Sequence, residues 1–124
     1  MGWLAVAVGG AVGSLLRYAL SLVANQPGWP YGTWIVNIVG SFCIGVFAVW
    51  GKERGVLSPE LYLLFATGLM GGFTTFSTFS LEVVTFWMEG HYSKGITYGL
   101  TSVVASILAC GAGVWLARQF SVTV

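Results

Sequence analysis

The chain has 124 residues, a formal net charge of +1, 56% hydrophobic residues and 7% charged ones. A water-soluble domain carries about 25% charged residues, so this chain has too few to cover a surface that faces water. A soluble globular fold is excluded on that ground, and with no acidic or basic block the sequence gives nucleic acid nothing to bind.

The first apolar run, 3–24, is interrupted only by Arg17. No basic segment precedes it, so a membrane span is expected rather than a signal peptide. Asn25-Gln-Pro-Gly-Trp-Pro-Tyr-Gly32 is turn chemistry, with prolines and glycines that end a helix and with Trp29 and Tyr31 suited to the membrane interface. The second run, 33–51, just crosses a hydrocarbon core about 30 Å thick. Lys52-Glu-Arg-Gly55 is expected to be a hydrated loop. Ser58-Pro-Glu60 is a helix start, with Ser as N-cap and Pro in the first position.

The third run, 61–88, is too long for one straight span; as a continuous helix it would reach roughly 42 Å. Its middle holds Gly71-Gly72 and then Thr74, Thr75, Ser77, Thr78 and Ser80, interleaved with phenylalanines. Such a segment either tilts strongly or breaks at mid-depth. A break is tolerated only where protein or a watery cavity satisfies the backbone, and broken helices are a recurring way to bind ions. The fourth run, 95–117, follows the loop Glu89–Lys94, and Arg118 closes it. The expected fold is therefore an all-α integral membrane protein with four transmembrane helices, in one unit over 1–124. Gly9-xxx-Gly13, Gly95-xxx-Gly99, Ser102-xxx-Ser106 and Ala109-xxx-Gly113 are small-residue pairs that let helices approach closely.

Four spans put both termini on one side, where Lys52, Arg54 and Arg118 face Arg17 and Lys94 on the other. So small a bias allows insertion either way round, and an antiparallel dimer would follow naturally. Four thin helices hardly enclose a pore alone, so oligomerisation is expected.

Enzymatic chemistry has little support: there is no Asp, the only His, His91, lies in a loop, and the glutamates are scattered. Cys43 and Cys110 lie in apolar runs as small hydrophobes and form no zinc set with one His. The polar residues inside the spans are the candidates. The Asn37 amide is either an anion donor or interhelical glue. The hydroxyls at 74–80 line a pathway or bond their own backbone. Phe76 and Phe79 share a helix face; their positive ring edges can touch an anion, or they simply fill space. Glycines at 71 and 72, with a turn at Thr74 and Thr75, leave carbonyls able to hold a small hard cation such as Na⁺. Glu82 is a proton carrier, a snorkelling group or a partner of Arg17, and Arg17 is a pore-mouth charge or an anchor.

Gly72-Phe-Thr-Thr-Phe-Ser-Thr-Phe-Ser80, preceded by Gly71, resembles the signature of the Fluc (CrcB) family of fluoride channels. Gly32-Thr-Trp-Ile-Val-Asn37 is similar to the second-helix motif of that family, and Gly9-Gly-Ala-Val-Gly-Ser-Leu-Leu-Arg17 to its first helix. The resemblance covers nearly the whole chain. It implies a passive fluoride channel in a bacterial inner membrane, exporting F⁻ and protecting the cell from its toxicity. It implies a dual-topology antiparallel homodimer with the third helix broken mid-membrane. It implies a structural Na⁺ at the dimer interface, on the backbone carbonyls of Gly72 and Thr75. Asn37, Phe76, Ser77, Thr78 and Phe79 would then line the fluoride pathway, Arg17 would stand in the vestibule, and Glu82, Ser102 and Ser106 would be accessory. The rivals are a proton-coupled small multidrug antiporter, which needs a central carboxylate, and a non-transporting subunit of a larger membrane complex.

Overall fold

The computed structural model describes residues 1–120 and is almost entirely helical. Helix α1 spans Gly2–Ala24. It ends where Asn25–Gln26 (β1) pairs antiparallel with Trp29–Pro30 (β2), folding the chain back over Pro27 and Gly28. Helix α2, Tyr31–Ala48, follows at once. Its first amides lack intrahelical acceptors, and the Asn25 side chain supplies one: Oδ1 accepts from the N–H of Gly32 at 2.6 Å and of Thr33 at 3.4 Å.

The helix does not stop before Lys52 as the sequence led us to expect. It widens into a π-helical stretch, Val49–Glu53, that carries Lys52 and Glu53. Both charges have partners there: Lys52 Nζ lies 5.4 Å from the centre of the Tyr62 ring, and Arg118 forms an ion pair with Glu53. These contacts hold the extra turn against its neighbours.

Helix α3, Pro59–Tyr62, starts as anticipated, with Pro59 in the first turn and Ser58 Oγ accepting from Leu61 N–H at 3.2 Å. It runs on through a π-helical stretch, Leu63–Met70, into α4, Gly71–Phe73. There the helix is interrupted: Thr74 (φ −88°, ψ 157°) and Thr75 (φ −152°, ψ 122°) are extended. Helix α5 resumes over Phe76–Met88, and α6 covers Tyr92–Phe120. The segment read as one run over 61–88 is thus two helical pieces around a two-residue gap. Among the described residues, α1, α2 with its π-helical extension, and α6 are each long and apolar enough to cross a membrane.

Close packing explains two of the small-residue pairs. A methyl group at Gly13 would run into the Leu69 carbonyl and lie 2.8 Å from the Phe73 nitrogen, so α1 meets the 63–73 segment backbone to backbone. A methyl at Gly113 would run into the Phe42 carbonyl, which brings α6 equally close to α2. The interior is small. Phe79, Phe86 and Tyr98 are buried together, with Trp29, Trp34 and Val83 packed on them. Large apolar side chains cover the outside instead, among them Trp3, Leu15 and Leu22 on α1 and Leu100, Ile107 and Leu108 on α6. That inversion of a water-soluble fold is what a lipid solvent permits.

Candidate functional site

The gap at Thr74–Thr75 would leave peptide groups without helical partners, and lipid cannot satisfy them. Side chains do so from both flanks. On the α2 side Asn37 grips one residue twice: its Oδ1 accepts from Thr75 N–H at 2.8 Å and its Nδ2 donates to the Thr75 carbonyl at 3.1 Å. On the α1 side Arg17 Nε donates to the Gly72 carbonyl at 3.1 Å. Thr75 Oγ1 then caps α5 by accepting from Thr78 N–H at 3.2 Å. Thr74 N–H and its hydroxyl both go to the Met70 carbonyl, at 3.0 and 2.9 Å.

Two amides are diverted by this arrangement. In an unbroken helix Thr75 N–H would serve the Gly71 carbonyl, and Thr78 N–H the Thr74 carbonyl. Here the first goes to Asn37 and the second to the Thr75 hydroxyl. The four carbonyls from Gly71 to Thr74 therefore lose their helical donors, and that of Gly72 accepts from Arg17 instead. Those of Gly72 and Thr75, the pair nominated from the resemblance, already accept from Arg17 and Asn37.

Beside the gap lies an open crevice of about 230 Å³, lined by Asn37 and Ser41 of α2, Thr74 and Thr75, Phe76 and Phe79 of α5, and Ser102 and Ser106 of α6. The Phe76 and Phe79 rings are 5.6 Å apart and inclined at 52°. Phe79 is buried, whereas Phe76 is 76% exposed and stands at the rim. The Ser102 and Ser106 hydroxyls are buried and, among the described residues, neither makes a well-formed hydrogen bond, although Ser102 lies close enough to the Tyr98 hydroxyl to interact with it. Such groups cost free energy unless something else binds them. The crevice thus combines weak uncharged donors with an aromatic wall.

Not every expected residue reaches it. Ser77 and Thr78 do not line the crevice; Ser77 Oγ is 3.3 Å from Thr75 Oγ1 on the exposed side of the turn. Ser80 bonds the Phe76 carbonyl of its own helix at 2.8 Å. Arg17 and Glu82 are not partners: Glu82 Oε2 accepts from Thr33 Oγ1 at 3.1 Å and Oε1 from Tyr98 O–H at 2.8 Å. Tyr98 and Ser102 are one helical turn apart on α6, so this cluster continues the same face of that helix. Sequence reasoning missed Ser41, whose hydroxyl donates to the Asn37 carbonyl at 2.6 Å, and the Thr33–Glu82–Tyr98 group. Ser41 lies one turn after Asn37 and was detectable by that spacing; the two Glu82 partners come from two other helices, α2 and α6, and had no local signal.

Apolar helices of spanning length, with an interrupted helix beside a hydroxyl-lined crevice, define a multi-pass membrane protein whose polar chemistry is gathered at one break. The model of the CrcB-like (camphor resistance) family matches residues 4–114, and the chain belongs to that family. A relative from Caulobacter vibrioides, called fluoride-specific ion channel FluC, is 45% identical over 120 residues, with 94% of each chain covered. Relatives of the same name from Hyphomonas neptunium (46% identity, 95% of this chain and 96% of the other) and Rhizobium leguminosarum bv. trifolii (48%, 95% and 97%) are similar throughout. This places the protein in a family of ion channels and outside the enzymes.

Proposed function

We propose that the protein is a fluoride-selective channel, passing F⁻ down its electrochemical gradient and so lowering the cell's fluoride load. The carrying observation is the crevice at the helix break, lined by Ser102 and Ser106, the two phenylalanines and Asn37. A pore must bind an ion well enough to replace its water and weakly enough to release it. Hydroxyl and amide donors meet that condition better than a fixed cation, which would trap a small anion. Asn37 has one Nδ2 hydrogen left after bonding Thr75, and ring edges of Phe76 and Phe79 add positive potential without charge.

The working unit in this reading is an antiparallel homodimer of dual topology, with the interruption at the middle of the membrane. Three features support it: the near balance of Lys and Arg between the two sides, the open crevice, and the exposure of Phe76 at its rim. A partner covering that rim would close the pathway.

Na⁺ at the interface is part of the proposal, and the hydrogen bonds around the break bear on which carbonyls would hold it. Those of Gly72 and Thr75, which the resemblance implies, already accept from Arg17 and Asn37 and would share that electron density with the ion. The carbonyls of Gly71 and Thr74, released from helical pairing, fit a hard cation that takes oxygen ligands. Bound there, the ion would supply positive potential beside the break.

The test is efflux from liposomes holding the purified protein, followed with F⁻ and Cl⁻ electrodes while valinomycin carries the K⁺ countercharge. Rapid F⁻ release without Cl⁻ release is expected. No release of either ion from folded protein would sink the proposal.

A further inference from the structure

We propose that Arg17 is a positioning residue, which holds the helix break open from the α1 side as Asn37 holds it from α2, rather than a charge that gathers anions at a pore mouth. The inference rests on the channel reading for its functional consequence, and on three observations of its own.

First, one guanidinium donor is spent on the backbone: Arg17 Nε donates to the Gly72 carbonyl at 3.1 Å. In a continuous helix that carbonyl would accept from Phe76 N–H, but Phe76 opens α5 beyond the extended pair Thr74–Thr75. Arg17 takes the place of the lost amide. Second, α1 is shaped to deliver it. Gly10, Gly13 and Arg17 recur at helical spacing on one face, and the two glycines bring that face against the backbone of 69–73. A methyl added at Gly72 would lie 3.1 Å from both the carbonyl carbon and the Cα of Gly10, so no side chain can intervene there. Third, the position suits the charge. The Gly72 carbonyl lies near the C-terminal end of the 59–73 helical segment, where the partial negative charge of a helix favours a cation.

The two clamps act on different peptide groups. Asn37 sets Thr75, from which α5 and the Phe76–Phe79 wall begin; Arg17 sets Gly72, between the released Gly71 carbonyl and the turn. Losing either lets the extended pair relax toward helix or disorder, and the crevice changes with it. Arg17 therefore acts on the pathway through the backbone.

Two substitutions separate this from a vestibule charge. Arg17→Gln removes the charge but keeps a side-chain N–H donor; Arg17→Met removes both at similar length. Both are compared with wild type by fluoride efflux across a range of F⁻ concentrations, and by hydrogen–deuterium exchange of the peptide covering residues 72–78 in the same detergent-purified protein. The clamp predicts that Met lowers flux about tenfold or more at every concentration and speeds exchange in that peptide by a similar factor. Gln should stay within about threefold of wild type in both. Equal losses for Gln and Met that vanish at high F⁻, with exchange unchanged, would overturn it, as would wild-type behaviour of the Met variant. Should wild-type protein carry no fluoride, the channel reading fails while the exchange comparison still decides the clamp.

Discussion

Replacing Asn37 with Leu should separate the two things this residue does. The side chain keeps a similar volume but loses both bonds to Thr75, at 2.8 and 3.1 Å. The Thr75 amide is then left without a partner in a half-buried setting, which costs about 1–3 kcal/mol, while the Thr75 carbonyl, at the N-cap of α5, keeps the first intrahelical bond. The site opens on a crevice that admits water, so the lower part of that range applies, roughly 1–2 kcal/mol. At about 1.4 kcal/mol per factor of ten, the intact break becomes about 5- to 25-fold less favoured relative to relaxed alternatives. Fluoride efflux should fall by at least that factor, because the free Nδ2 hydrogen is lost as well. The protein should still fold, since the bonds lie at the break and not in the packed contacts of α1 with 63–73 or of α2 with α6. Efflux from liposomes and elution from a sizing column are the assays. Wild-type flux through Asn37→Leu would refute the argument that this amide organises the pathway.

Three further expectations follow from the same geometry. Ser106→Ala removes a buried hydroxyl that makes no hydrogen bond among the described residues, so it should leave the melting temperature unchanged or raise it while lowering F⁻ flux; a fall in both would make this hydroxyl an ordinary packing group. Exchanging Phe76 and Phe79 together for Leu keeps the wall apolar but removes the ring edges, and flux should drop at least tenfold with the fold intact; unchanged flux would dismiss the ring-edge role. A methyl at Gly40 would collide with the Thr74 side chain and lie 3.4 Å from Phe73, so Gly40→Ala should displace the turn and cut flux, which Gly40→Ala combined with Thr74→Ser should partly restore.

The sequence by itself determined that this chain lives in a membrane and where its apolar segments run. That requirement is one-dimensional: each segment must bury its backbone polar groups internally and present enough apolar length to lipid, and both are read along the chain. The cap at Ser58 and the interruption after Gly71-Gly72 were legible for the same reason, because a cap, a glycine pair and clustered hydroxyls act within a few residues. The site was legible in residue type and only partly in arrangement. Asn37, Phe79, Ser102 and Ser106 meet at the crevice, whereas Ser77 and Thr78, from the same motif, are not among its lining residues. Helical spacing says which residues share a face, and says nothing about what that face meets. Only the tertiary structure decided that Asn37 grips Thr75, that Arg17 reaches Gly72 and not Glu82, and that Glu82 is held by Thr33 and Tyr98. Each pairing joins different helices. Each is set by how closely glycines allow two backbones to approach, and by which peptide groups the break leaves in need of a partner.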